Sequence, residues 1–183
     1  MQPEKFDIDW VWSKLKPGVG SNKNDYHLMQ FAYSGIDDFP KIDTVVMRHA
    51  ECPNVFFHTD IRSDKITALQ QNSNVVLHWY SREDKIQITF KAHATIHHGN
   101  EMCVNKWANM PKFSRECYHQ RGQPGSPYEP HLAQFDLTSE EALKNFAVIE
   151  CQILSMDILY LQVGANIRFQ WAEGDAQITR INA

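Results

Sequence analysis

The chain of 183 residues has room for one domain with a proper core, and it is too short for two domains of ordinary size. Its net charge of −4, with 43% hydrophobic and 22% charged residues, is ordinary for a soluble protein and offers no positive field for nucleic acid. No apolar run approaches the roughly 18 residues of a membrane span, and residues 1–5 do not begin a signal region. We therefore expect a cytoplasmic protein without a membrane partner.

The first 25 residues predict a short amphipathic helix followed by a loop. Trp10, Trp12 and Leu15 are the apolar residues of this helix, and the Pro- and Gly-containing residues 17–22 predict the loop. We expect residues 1–25 to form an extension that is an appendage to the core, and residues 26–183 to form the main domain.

Most of the remaining chain predicts strands. They are expected at residues 26–34, 42–49, 55–59, 75–80, 86–97, 145–154, 157–163, 167–171 and 177–181. Apolar and polar residues alternate throughout 86–97, which is typical of a long antiparallel strand in a curled sheet or barrel. Helices are expected at residues 64–71, 100–110 and 112–119. The predicted fold class is mainly β, a barrel of antiparallel strands with helical excursions.

The start of the first core helix has the features of an anion site. Ser63 stands where it can cap the helix, and the unpaired N–H groups of the first turn carry partial positive charge. Lys65 adds a full positive charge. Phosphate is the natural occupant, although a serine before a helix is most often only a cap.

Other chemistry is not indicated. The sequence has no Gly-x-Ser-x-Gly, His-Glu-x-x-His or P-loop motif. Its four cysteines form no Cys-x-x-Cys pair, which predicts free thiols. His97 and His98 diverge on a strand and have no carboxylate or thiol at ligand spacing, so we expect no metal site.

Several separated segments resemble the FMN-binding core of pyridoxamine 5′-phosphate oxidase-like proteins, in the family's order. They are residues 43–48, 57–65, Gln87, 107–111, 125–127, 168–169 and 180–182. The resemblance extends over about residues 26–183. It implies a split β-barrel homodimer that binds FMN in two clefts along the subunit interface and acts on a small molecule.

The resemblance also implies which residues contact the cofactor. The residues expected around the FMN phosphate are Arg48, Ser63 and Lys65. Thr59 would contact the cofactor from the end of a strand. The residues whose main chain would border the flavin ring are Val45, Val46 and Met47. Those expected to approach from the partner subunit are Gln87, Tyr160 and Arg168.

Two departures from the family pattern concern the cofactor. Asp43 and Asp64 stand where the family commonly has arginine. Carboxylates near a dianionic phosphate reduce its attraction to the site. We therefore expect weaker FMN binding than in close relatives unless these side chains turn away.

Further departures concern the substrate. The substrate-side candidates are Lys106, Trp107 and Ser114. Lys106 and Met110 stand where the oxidase holds its substrate with Tyr and Arg, and Arg48 replaces a substrate-binding Lys.

The catalytic residues of the oxidase are also missing near the C-terminus. Its Arg and His that act on substrate correspond here to Gly164 and Asn166. We expect an FMN-dependent oxidoreductase whose substrate is not pyridoxamine or pyridoxine 5′-phosphate. The sequence nominates no catalytic residue. The alternative is a non-catalytic FMN- or haem-binding module.

Overall fold

The structure is a computed structural model that describes residues 7–183. Its strands are β1 (Leu28–Ser34), β2 (Pro40–Glu51), β3 (Asn54–Asp60), β4 (Asn74–Ser81), β5 (Ile86–His98), β6 (Phe146–Tyr160), β7 (Ile167–Ala172) and β8 (Thr179–Ile181). Its helices are α1 (Ile8–Gly20), α2 (Asp64–Gln71), α3 (Glu101–Ala108), α4 (Lys112–Arg115) and α5 (Ser139–Asn145), with a 3₁₀ turn at Glu116–Tyr118. No helix in this described part is long and apolar enough to cross a membrane.

The strands form one antiparallel sheet that closes on itself. Their order is β3-β2-β1-β4-β5-β6-β7-β8, and an additional pairing of β3 with β6 closes the first six into a barrel. β7 and β8 extend the sheet beyond β6. The predicted mainly β split barrel with helical excursions is confirmed.

Alternation along the strands fills the barrel with apolar side chains. On β5, Ile86, Ile88 and Phe90 are buried while the intervening residues face outward. Phe31 and Phe57 meet inside with ring centroids 4.7 Å apart. Each such buried side chain stabilises the fold by about 1.5–3 kcal/mol.

Helix α1 is part of the main core. Val11 and Leu15 are fully buried, and the Trp12 ring lies 5.8 Å from that of Phe90. The expectation of an appendage was therefore wrong for this helix, although the first six residues of the predicted 1–25 extension lie outside the described part of the chain. The domain boundary at residue 25 stays a prediction.

The loop expected at residues 17–22 is also mostly wrong, because α1 continues through Pro17 to Gly20. Burial of the helix against the barrel outweighs the propensity of Pro17 to end it. A Cβ on Gly18 would lie 2.6 Å from the carbonyl carbon of Tyr26, so only glycine allows this close approach.

Strand β6 is one continuous strand, whereas the sequence predicted two, at 145–154 and 157–163. Lys91 pairs with Ser155 and Ala92 pairs with Ile153, which leaves Leu154 as an extra residue in a β-bulge. Inward-facing positions are odd-numbered before the bulge and even-numbered after it. In the sequence, this change of alternation resembles the end of one strand and the start of another, which is why two strands were predicted.

A second layer of helices covers the outside of β3 and β6. Its buried members are Cys103, Trp107, Met110, Tyr118, Ala142, Phe146 and Val148. The sequence prediction omitted α5, although Thr138 and Glu141 form a complete capping box at its start.

Candidate functional site

Helix α2 begins at Asp64, as predicted, directly after β3. Ser63 occupies the N-cap position, but its hydroxyl donates to the carbonyl of Asp60 at 2.8 Å and makes no cap hydrogen bond. The expectation that Ser63 caps the helix was therefore wrong. Because no side chain caps the first turn, its N–H groups keep their partial positive charge for a ligand.

Lys65 already has an anionic partner. Its Nζ lies 3.1 Å from Oδ2 of Asp43, and the lysine side chain is only 17% exposed. The Tyr33 hydroxyl donates to the same oxygen at 3.4 Å. Burial, followed by the nearby carboxylates of Asp43 and Asp64, raises the pKa of Tyr33 to about 12. Both departures from the family pattern thus lie beside the start of α2.

Arg62 has a structural role that the sequence did not indicate. Its guanidinium makes a bidentate pair with Asp60, with Nη2–Oδ2 at 2.7 Å and Nε–Oδ1 at 3.0 Å. It also donates to the carbonyls of Gln120 and Arg121. The positive charge of Arg62 is therefore committed to holding this loop beside the start of α2.

Arg48 lies at an irregularity of β2, where the register with β3 shifts between Met47 and His49. The ring of His58 packs edge-on against Phe146, and neither ring nitrogen has a hydrogen-bond partner within residues 7–183. Burial, then Arg48 and Lys106, lowers the pKa of His58 to about 3. The positive charges of Arg48 and Lys106 thus both act on one neutral imidazole whose ring nitrogens are buried.

The other substrate-side candidates lie in the same helical layer. Trp107 is only 6% exposed, and its ring packs against Tyr118 and Phe146. Ser114 is half-buried on α4, and its carbonyl accepts from the thiol of Cys117 at 3.5 Å. Trp107 therefore belongs to the packing of the layer, while Lys106 and Ser114 retain accessible polar groups.

Gln87 and Arg168 line the same cavity on the outer face of the sheet. Gln87 on β5 and Arg168 on β7 both pair with Leu159, which lies between them on β6. They line a cavity of about 740 Å³ together with Asp157 and Gln170. Tyr160 lies at the end of β6 and packs against the main core. Gln87 and Arg168, two of the three residues expected from a partner subunit, therefore share one surface.

Arg168 is paired within its own chain. Its Nη2 lies 2.8 Å from Oδ2 of Asp157, and Gln170 donates to the same oxygen at 2.7 Å. Although burial opposes the shift, these hydrogen bonds hold the pKa of Asp157 below its ordinary value. The cavity floor therefore presents a fixed, hydrogen-bonded ion pair.

The remaining cofactor candidates lie on β2 and β3. The side chain of Met47 is fully buried and those of Val45 and Val46 are half-buried, so their main chain is the group that could border a ring. The amide of Met47, however, already donates to the carbonyl of His27 at 3.0 Å. Thr59 is buried, with its Oγ1 3.5 Å from the Ser63 hydroxyl.

The candidate groups form two separate sets. The residues lining the 740 Å³ cavity include Gln87 and Arg168, but none of those at the start of α2. Among residues 7–183, no group of three or more His, Cys, Asp or Glu side chains could hold a metal ion. The cysteines, Cys52, Cys103, Cys117 and Cys151, are all free thiols.

Comparison with known proteins identifies the family. The sequence profile described as "Pyridoxamine 5′-phosphate oxidase, FMN-binding domain" matches residues 9–98, which contain β1 to β5 and the start of α2. This match confirms the predicted resemblance to the pyridoxamine 5′-phosphate oxidase-like family. Residues 43–48 and 57–65, which carried the resemblance, both lie inside the matched region.

Several solved structures share the fold of this chain. A pyridoxamine 5′-phosphate oxidase-related, FMN-binding protein from Nostoc punctiforme is similar with a TM-score of 0.78 and 19% identity, over 96% of this chain and 97% of that one. PhzG from Burkholderia lata, in complex with tetrahydrophenazine-1-carboxylic acid, has a TM-score of 0.70 and 13% identity, over 86% and 82% of the two chains.

A third similar structure is that of General Stress Protein 26 from Bacillus anthracis. Its TM-score is 0.52 and its identity 16%, over 81% of this chain and 92% of that one. No curated protein sequence matches this chain. These likenesses establish the fold, whereas the chemistry must be argued from the residues of this chain.

Proposed function

We propose that the chain is an FMN-binding protein that works as a homodimer and as an oxidoreductase on a small molecule. The observation that carries this proposal is the division of the candidate site into two sets of groups. The uncapped first turn of α2 with Lys65 suits a phosphate, and the cavity beside Gln87 and Arg168 suits an extended ligand. One chain supplies these sets on different surfaces, so a second copy is needed to bring them together.

The residues present fit this cofactor in their donor chemistry. The N–H groups after Ser63 and the ammonium of Lys65 would hold the phosphate, and Thr59 would lie beside it. Gln87 and Arg168 of the second copy would contribute from the far side. Bound flavin would supply the redox chemistry, while the protein positions the reacting partner and excludes water.

The helical layer suggests the charge of the substrate. Within residues 7–183, neither Arg48 nor Lys106 has an ion-pair partner, although both lie near His58. Two unpaired cations beside an imidazole that stays neutral favour an anionic group such as a carboxylate. Lys106 and Arg48 would bind and orient this group, and no residue is assigned as a general base.

The test is flavin binding and assembly by the purified chain. We expect a yellow dimer in light scattering that quenches the fluorescence of added FMN. Lys65→Ala should weaken FMN binding by roughly 10- to 150-fold, the effect of losing a hydrogen bond to a charged group. Lys23→Ala, which removes an exposed lysine elsewhere, serves as the control and should bind as the unaltered chain does.

Colourless, monomeric protein that leaves FMN fluorescence unchanged would overturn the proposal. Catalysis is tested separately by anaerobic reduction of the bound flavin with candidate anionic substrates. Reduction followed by rapid reoxidation in air supports an oxidoreductase. A dimer that binds flavin but is never reduced would favour the non-catalytic binding module instead.

A further inference from the structure

The start of α2 contains more negative than positive charge. Its side chains are the carboxylates of Asp43, Asp60 and Asp64 and the cations of Arg62 and Lys65. Both cations are paired, Arg62 with Asp60 at 2.7 Å and Lys65 with Asp43 at 3.1 Å. A dianion that arrives here therefore meets no uncommitted cation from this segment.

Asp43 is well fixed in this arrangement. It lies on β2 opposite Phe31 of β1, and its Oδ2 receives both the Tyr33 hydroxyl and the Lys65 ammonium. Its side chain is 36% exposed, so water screens part of its charge. A phosphate that binds Lys65 must share the ammonium with Asp43 or displace this carboxylate.

Asp64, the first residue of the helix, adds a second carboxylate near the Tyr33 hydroxyl. A Cβ added to Gly125 would lie 3.7 Å from Oδ2 of Asp64, so the loop that contains Gly125 borders the same helix start. The uncapped N–H groups after Ser63 still attract an anion, but the carboxylates of Asp43 and Asp64 both lie near this helix start. The terminal ribityl hydroxyl of riboflavin would meet the same groups without electrostatic repulsion.

We propose that Asp43 is a specificity-determining residue that competes with the flavin phosphate for Lys65, so that this chain discriminates only weakly between FMN and riboflavin. This inference rests on the proposed function, because it requires that the chain binds flavin. The phosphate is attracted by the N–H groups and by part of the lysine charge, and it is repelled by the Asp43 carboxylate. Riboflavin, which lacks the phosphate, is indifferent to Asp43.

The experiment measures dissociation constants for FMN and riboflavin by fluorescence quenching, in the full chain and in Asp43→Asn. The variant removes one negative charge and keeps the shape of the side chain. We expect FMN to bind about tenfold more tightly to Asp43→Asn, with riboflavin unchanged. Asp37→Asn, which removes an exposed carboxylate paired with Lys41, is the matched control and should change neither constant.

The two failures can be told apart. If neither flavin binds to any variant, the proposed function fails and the role of Asp43 fails with it. If FMN binds but Asp43→Asn leaves its affinity unchanged or weaker, flavin binding stands and the competition is refuted. Asp43→Thr, whose side chain suits a strand, gives the same measurement if Asn disturbs β2, and circular dichroism reports the fold of each variant.

Discussion

Replacing Arg62 with alanine should destabilise the protein far more than an ordinary surface substitution. The side chain of Asp60 is 10% exposed and that of Arg62 is 23% exposed, so the carboxylate would be left nearly buried without its partner. Deleting one partner of a buried pair costs about 3–5 kcal/mol, and the residual exposure of Arg62 places the loss near 3 kcal/mol. Loss of the bonds to the carbonyls of Gln120 and Arg121 should also release their loop.

The assay is urea unfolding followed by circular dichroism, together with thermal unfolding. A loss of about 3 kcal/mol in a chain of this size corresponds to roughly 6–12 °C in Tm. Arg62→Lys should fall between the two proteins, because lysine keeps the charge and loses the bidentate fork. Arg121→Ala, which removes an exposed pair with Asp136 and leaves its own carbonyl in place, is the control and should change the Tm little.

A double substitution provides the refutation. Asp60→Asn with Arg62→Gln leaves no unpaired charge, so it should cost less than Arg62→Ala alone. If Arg62→Ala lowers the free energy of unfolding by less than about 1 kcal/mol, the pair behaves as an exposed one and the reasoning from burial is wrong.

Two further predictions concern the substrate and pH. Pyridoxamine 5′-phosphate should be a poor substrate, because Lys106, Met110, Gly164 and Asn166 replace its binding groups; losing three transition-state contacts would slow turnover about a thousandfold. A steady-state assay of pyridoxal 5′-phosphate formation checks this, and oxidase-like turnover would contradict it. The folded-state pKa of His58 is about 3, below the ordinary value near 6.5. Below pH 6.5 the unfolded chain therefore binds a proton that the folded chain does not, so the free energy of unfolding should fall from pH 6.5 towards pH 3. In His58→Phe this loss of stability in acid should be smaller. If urea unfolding gives the variant the same pH profile as the unaltered chain, the role of His58 is refuted.

The sequence predicted those elements whose signals are local. Helix α2 begins at Asp64 and ends at Gln71, as expected, because Ile66 and Leu69 mark its buried side and the neighbouring residues are good helix formers. Strand β5 was predicted almost to the residue from its uninterrupted alternation. The capping box of α5 was equally local, and a systematic search for Thr-x-x-Glu before an apolar residue would have found this helix.

The candidate site was predictable in its residue types but not in its pairings. Arg168 was named from the resemblance, while its partner Asp157 lies on the neighbouring strand and depends on the register of β6 with β7. Lys65 was named as a phosphate ligand, but its pairing with Asp43 requires knowing how β2 passes the start of α2. The direction of the Ser63 hydroxyl likewise depends on the turn at Asp60, which no spacing rule reports.

The single extra residue in β6 imposes a parity rule on this strand. Successive side chains alternate between faces, so the bulge at Leu154 is what allows Ile153 and Met156 both to point into the barrel. Deleting Leu154 would remove the bulge and leave Met156 inward, because Ile153, Ser155 and Met156 would then alternate regularly. Closing the bulge without a deletion would instead move Met156 to the outer surface and turn Asp157 inward. One residue can therefore be removed at the bulge, whereas elsewhere the length of this strand can change only in even steps, or by one residue together with a compensating bulge, if the barrel interior and the cavity beside Arg168 are both to survive.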